Sequence, residues 1–185
     1  MVGGTYFDLV GEDGESDELL GRLVNGGTGI SAGSTNENGW LVLGPTGKSI
    51  FLDEDGRPLG EQRDVIDNQP VGFAALGKRR ATTGEIQSAW LVGGGEGRLQ
   101  LVDLNGEPEL NIRAQASVMT TLNSGAYGAG SEQWLVGGES GDLFIFDSTF
   151  SQVANDKTFE GTSIGAIVGN PDSNALGNTW FVAAG

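Results

Sequence analysis

The sequence predicts an all-β fold assembled from repeated four-stranded antiparallel units, and three observations carry that prediction. A Trp-led apolar pentad occurs four times, as Trp40-Leu41-Val42-Leu43-Gly44, Trp90-Leu91-Val92-Gly93-Gly94, Trp134-Leu135-Val136-Gly137-Gly138 and Trp180-Phe181-Val182-Ala183-Ala184. The four tryptophans are separated by 50, 44 and 46 residues, close to the period of roughly 40 to 50 residues expected for the blades of a β-propeller. Thirty-three glycines recur beside short β-rich runs, which signals many tight turns and not a low-complexity tract. No segment of about ten residues keeps a helical apolar period, so almost no helix is expected.

The elements follow from the pentads in order. A glycine at a fixed offset, Gly47, Gly97 or Gly141, marks a turn, and a second apolar run follows at Lys48 to Asp53, Arg98 to Asp103 and Asp142 to Asp147. The next turn carries Asp55-Gly56 or Asn105-Gly106, dipeptides that accept positive φ at both central positions of a two-residue hairpin. Asp13-Gly14 fits the same slot and makes Tyr6 to Val10 (YFDLV) the counterpart of Arg98 to Val102 (RLQLV). The last copy departs, with Phe150 where glycine is expected. A more polar strand comes next, near Leu19 to Val24, Gln62 to Ile66, Glu109 to Ala114 and Gln152 to Phe159.

An apolar strand rich in small residues precedes each Trp strand: Gly29 to Gly33, Val71 to Leu76, Ser117 to Leu122 and Ser163 to Val168. The innermost strands of a propeller crowd the axis, so small side chains place these there as strand A. The Trp strand is then B, and the next two are C and D. A loop rich in Gly, Ser and Asn, such as Asn123 to Gln133, joins A to B.

Strand A, loop, strand B ending in Gly-Gly, two residues, Gly, and strand C ending in Asp resembles the blade of WD-repeat propellers over essentially the whole chain. Leu143-Phe144-Ile145-Phe146-Asp147 and Leu99-Gln100-Leu101-Val102-Asp103 carry the strand C pattern, without that family's Trp before the Asp or its opening Gly-His pair. Quinoprotein-type and photosystem-assembly-type propellers are similar as well. The resemblance implies the fold and carries over no functional residue.

Composition narrows the chemistry. With 25 acidic and 10 basic residues the formal net charge is −15, which opposes sequence-independent attraction to nucleic acid or anionic membrane, and neither is an expected partner. The basic cluster Lys78-Arg79-Arg80 is expected to be a solvated loop. There is no Cys and no His, which removes disulfides, thiolate chemistry, imidazole metal sites and the Ser/His/Asp triad. Localisation stays open.

No catalytic, cofactor-binding or metal residue is therefore assigned, and ligand-binding residues are not legible. Asp53, Asp103 and Asp147 recur at the end of strand C, where a carboxylate accepts N–H bonds from the following turn; calcium is the lesser reading, since Asp53-Glu54-Asp55-Gly56 lacks alternating oxygen ligands and a bidentate Glu. Gly93-Gly94-Gly95-Glu96-Gly97 lies in a hairpin with no helix dipole behind it and is expected to be a turn, not a phosphate cradle. Glu12 with Asp13, and Glu15 with Asp17, read as a solvated acidic face. The tryptophans fit inter-blade packing better than stacking on sugars or bases.

The function this predicts is a non-enzymatic propeller serving as a binding or assembly scaffold, with a protein or glycan ligand; the alternative is a propeller enzyme or lectin with a pocket on the axis. The sequence starts with Gly3-Gly4 before Thr5-Tyr6-Phe7 and stops with a B strand at Trp180 to Ala184. Strands A and B of the last unit are thus expected to join C and D of the first, in a closed four-bladed monomer or an eight-bladed homodimer, with the homodimer favoured. A fragment of a longer array, or an engineered half of one, fits the same pattern.

Overall fold

The computed structural model describes residues 32–35, 39–44, 47–53, 57, 61, 63–66, 71–104, 107–113, 120–129, 131–169 and 180–185. Among these the fold is all-β, with a single three-residue 3-10 turn at Gly95–Gly97 and no helix long and apolar enough to cross a membrane. Strands β1 (Ala32–Thr35), β2 (Gly39–Leu43), β3 (Lys48–Asp53) and β4 (Arg63–Asp64) form the first antiparallel sheet. The second holds β5 (Val71–Arg80), β6 (Ile86–Gly94), β7 (Arg98–Val102) and β8 (Pro108–Arg113), and the third β9 (Leu122–Gly128), β10 (Gln133–Gly138), β11 (Leu143–Phe146) and β12 (Gln152–Asp156). A fourth, two-stranded sheet pairs β13 (Ile164–Gly169) with β14 (Trp180–Ala184). In the larger sheets spatial order equals chain order, so every connection is a hairpin.

All four tryptophans stand on the second strand of their sheets and in matching register. Trp90 pairs with Leu76 and Val102, Trp134 with Tyr127 and Phe146, Trp40 with Ser34 and Leu52, and Trp180 with Gly169. Period-two alternation then sends neighbouring side chains to opposite faces. Trp134 lies against Gly77 and donates its Nε1–H to the carbonyl of Lys78 in the preceding sheet at 3.1 Å. Leu135, the next residue, packs with Ile164 and Ile167 of the following sheet.

The core among the described residues lies between successive sheets. Leu41, Leu43, Val65 and Ile66 meet Val71, Trp90, Val92 and Val102 between the first and second sheets. Phe73, Leu91, Leu99 and Leu101 meet Leu122, Trp134, Phe144, Phe146 and Phe150 between the second and third. Successive first strands β1, β5, β9 and β13 are neighbours, and glycine permits their approach: a Cβ on Gly72 would collide with the Leu122 backbone, and one on Gly169 with the Tyr127 backbone. The last strand β12 is largely exposed, as are Pro108 to Leu110 of β8.

Several expectations need correction. The first strand of the third sheet is described over Leu122–Gly128, in the stretch expected as a loop, and Thr120 and Thr121 precede it outside a strand; residues 117–119 of the expected strand Ser117 to Leu122 lie outside the described residues. The glycines of β9 are packing devices: Gly125 faces the Phe73 ring and Gly128 faces the Trp180 indole, where a Cβ would sit 2.7 Å from Cζ2. Lys78-Arg79-Arg80 is no loop, because β5 continues to Arg80 through pairing with Ile86–Ser88. In the first sheet the first strand is described over Ala32–Thr35, two residues beyond the expected end at Gly33, and residues 29–31 lie outside the described residues. The fourth strands end early: β4 stops at Asp64 because the N–H groups of Val65 and Ile66 turn to the Gly47 carbonyl, and β12 stops at Asp156. The strands expected at Tyr6 to Val10 and Leu19 to Val24 lie outside the described residues.

Candidate functional site

The turns behave as their carboxylates suggest. Asp53 Oδ1 accepts the Arg57 N–H at 2.8 Å, Asp103 Oδ1 accepts that of Glu107 at 2.7 Å, and Asp147 Oδ1 accepts those of Thr149 and Ser151 at 2.9 and 3.0 Å. The backbone N–H of each Asp bonds the carbonyl four residues on, at 2.9 to 3.0 Å, so these loops hold three residues and not two. A three-residue hairpin loop commonly ends on a residue of positive φ. Gly56 and Gly106 occupy that place in sequence; in the third sheet it is Phe150, at φ 65°.

Burial of Asp147 alone would raise its carboxyl, but the Thr149 hydroxyl and the N–H groups of Ser151 and Thr149 together hold it below the ordinary 3.8. The Thr149 hydroxyl donates to the same Oδ1 at 2.7 Å and adds to the hold on the turn. Gly47, Gly97 and Gly141, the glycines at fixed offset, have φ of 85°, 67° and 86°, which explains their place in the pattern.

A bulky residue at positive φ is strained by about 1–2 kcal/mol, and Phe150 is retained there because it is buried against Trp134, ring centroids 5.6 Å apart. It forms one wall of a cleft of about 540 Å³ with Leu101, Leu110, Arg79, Arg80, Thr82 and Thr149. The other wall exists because β5 and β6 outrun the corresponding strands of the third sheet, β9 and β10. The Arg80 N–H joins the walls by donating to the Ser148 carbonyl at 2.7 Å.

Arg79 pairs with Glu109 and Gln87, and Arg80 with Glu132 at 3.1 Å and the Gly84 carbonyl. Each guanidinium thus has two partners within the protein, the Arg79 contacts being the more buried. The cleft offers aromatic and aliphatic walls, two hydroxyls and oriented N–H groups, a lining suited to holding a polar ligand through hydrogen bonds and apolar contact. Sequence reasoning flagged Phe150 and the arginines separately; nothing in one dimension placed them together. Among the described residues no group of three or more His, Cys, Asp or Glu side chains converges as a metal site.

The second feature is the outward face of the fourth sheet. Leu41, Leu91 and Leu135 follow their tryptophans and are 0, 0 and 5% exposed, whereas Phe181 at the same place is 67% exposed. Its cross-strand partner Val168 is 59% exposed, and the adjoining pair Ala166 and Ala183 is exposed as well. Among the described residues β14 pairs on one side only, while β2, β6 and β10 are paired on both.

No protein-family model matches the chain, and no curated protein is significantly similar to it.

Proposed function

We propose that this chain is a non-enzymatic β-propeller scaffold for binding or assembly, and that it completes an eight-bladed ring as a homodimer. The bare face of β14 carries the reading: Phe181 is 67% exposed at a place where the other sheets bury leucine against a following sheet. Further support comes from the matching register of the four Trp strands and from first strands that neighbour one another in chain order. An apolar pair beside a strand edge that is unpaired among the described residues invites continuation by another strand. The cleft at Arg80 and Phe150 is where this reading puts a protein or glycan ligand.

Light scattering on the intact chain tests the assembly. The dimer has twice the 19.2 kDa of the chain, about 38 kDa, and a cooperative monomer of 19.2 kDa would overturn it. Peptide and glycan arrays probed with the wild-type chain and with Arg80→Ala test the cleft; equal signals from both would remove it from the reading.

A further inference from the structure

The cleft between the second and third sheets, of about 540 Å³, has the size of a small-ligand site. Much of its polar lining is already committed. The main-chain N–H groups of Arg80, Gly84 and Thr149 donate to the Ser148 carbonyl, the Ala81 carbonyl and Asp147 Oδ1, so at these residues an incoming peptide would find no main-chain donor to pair with. What remains is a set of side-chain groups. Arg79 uses Nη2 for both of its partners, Gln87 and Glu109 Oε1, which leaves its Nη1 and the Oε2 of Glu109 without a partner among the described residues. These two side chains are only 18 and 28% exposed, so the pair is largely withdrawn from water. The Thr82 hydroxyl, on the exposed turn at the rim, has no partner among the described residues either.

We infer that this cleft binds a neutral sugar, and that Arg79 and Glu109 read two adjacent hydroxyls of its ring while Thr82 meets a third. This rests on the reading that the cleft is a ligand site. Glu109 stands against Arg79, and Glu132 against Arg80 at 3.1 Å, so an anion would enter beside carboxylates and a cation beside guanidinium groups. The net charge of −15 further opposes an anion. A ligand without polar groups would cover the Arg79–Glu109 pair and leave its remaining donor and acceptor unmet, which costs free energy. A hydroxyl both donates and accepts. Two of them on neighbouring ring carbons can accept from Nη1 and donate to Oε2 together, as charge-assisted hydrogen bonds that leave the ion pair in place. The ring carbons then meet the aliphatic wall at Ala81 and Leu110, the latter 43% exposed.

Backbone-amide NMR spectra of the intact chain test this, with the methyl pyranosides of glucose, galactose and mannose as probes. The expected result is saturable shifts at Arg80 to Gly84 and Thr149 with at least one of these sugars. The same sugar lacking one hydroxyl of an adjacent pair should bind at least about tenfold more weakly. Glu109→Gln keeps the shape and an acceptor for Arg79 but loses the charge, and should also weaken binding by about tenfold; unshifted amides away from the cleft show that it folds. Thr82→Ala, on the exposed turn, removes one hydroxyl without touching the core and should give a smaller loss. Sugar binding that both variants leave unchanged would overturn the inference. Tighter binding of methyl glucuronoside than of the neutral glucoside, or shifts at these amides from N-acetylglutamine methylamide alone, would overturn the sugar and leave the cleft a ligand site. Absence of cleft shifts from every probe would overturn the sugar as well, and only equal array signals from the wild-type chain and Arg80→Ala would then remove the cleft itself.

Discussion

Leu135 and Phe181 hold the same place in two sheets, each following a tryptophan on a second strand and each pairing with a small or β-branched residue of the first strand, Ala126 or Val168. Leu135 is 5% exposed because Ile164 and Ile167 of the next sheet lie on it; Phe181 is 67% exposed because no described residue does the same for β14. The local pattern therefore determines that both segments are strands. Burial is determined by the neighbour. A single unit can satisfy its own hydrogen bonds and still present an apolar face that only a following unit removes from water.

The comparison is broken most severely by charge. Leu135→Asp buries a carboxylate among Ile164, Ile167 and Val182 and should cost more than about 5 kcal/mol, enough to unfold the chain. Phe181→Asp should leave the fold intact and halve the mass in light scattering. If Phe181→Asp is as destructive as Leu135→Asp in urea unfolding, the face is an internal core and not an assembly surface.

Removing the aromatic anchors is the next test. Trp134 is wholly buried, stacks edge-on with Tyr127 at 5.1 Å and bonds the Lys78 carbonyl; Trp134→Ala should cost about 3–5 kcal/mol. Trp180 is partly exposed, and its buried Nε1–H has no partner among the described residues, so Trp180→Ala should cost less than half as much. Equal shifts in urea midpoint would show that the fourth sheet is packed as fully as the third.

How far the sequence speaks is visible in these same strands. The second and third strands were legible because a Trp, a β-branched run and a positive-φ glycine recur at fixed offsets; β3 and β14 span the very residues expected. Strand β9 was not, because Asn123-Ser124-Gly125-Ala126-Tyr127-Gly128 has the composition of a loop, while its glycines are there to receive Phe73 and Trp180 from other sheets. The cleft escaped for a related reason: it forms where a lengthened hairpin of one sheet meets an irregular turn of the next. Phe150 was recognisable as an exception, and its partner across the cleft was not.

That exception gives a smaller effect. Phe150→Gly relieves about 1 kcal/mol of backbone strain but removes a buried ring worth about 3–4 kcal/mol, so a net loss of about 2–3 kcal/mol is expected. A gain in stability by calorimetry would mean that the ring is not held against Trp134.

The smallest effect is on pH. The folded carboxyl of Asp147 is more acidic than the ordinary 3.8, so its contribution is fully present above that value and is lost as pH falls through the lower folded one. Asp147→Asn should reduce stability at neutral pH by less than about 1 kcal/mol, the side chain being exposed, and should lessen the further loss below about pH 4. An unchanged acid limb in the variant would show that the turn gains nothing from the charge.

The central claim is that β14 is paired on both edges in solution, as β10 is, and amide hydrogen exchange resolved along the wild-type chain tests it most directly. In a strand, alternate N–H groups point to opposite edges. Protection of every backbone amide from Phe181 to Ala184, at the level found across Leu135 to Gly137, is the predicted result. Fast exchange at alternate amides of β14, with β10 protected throughout, would contradict it.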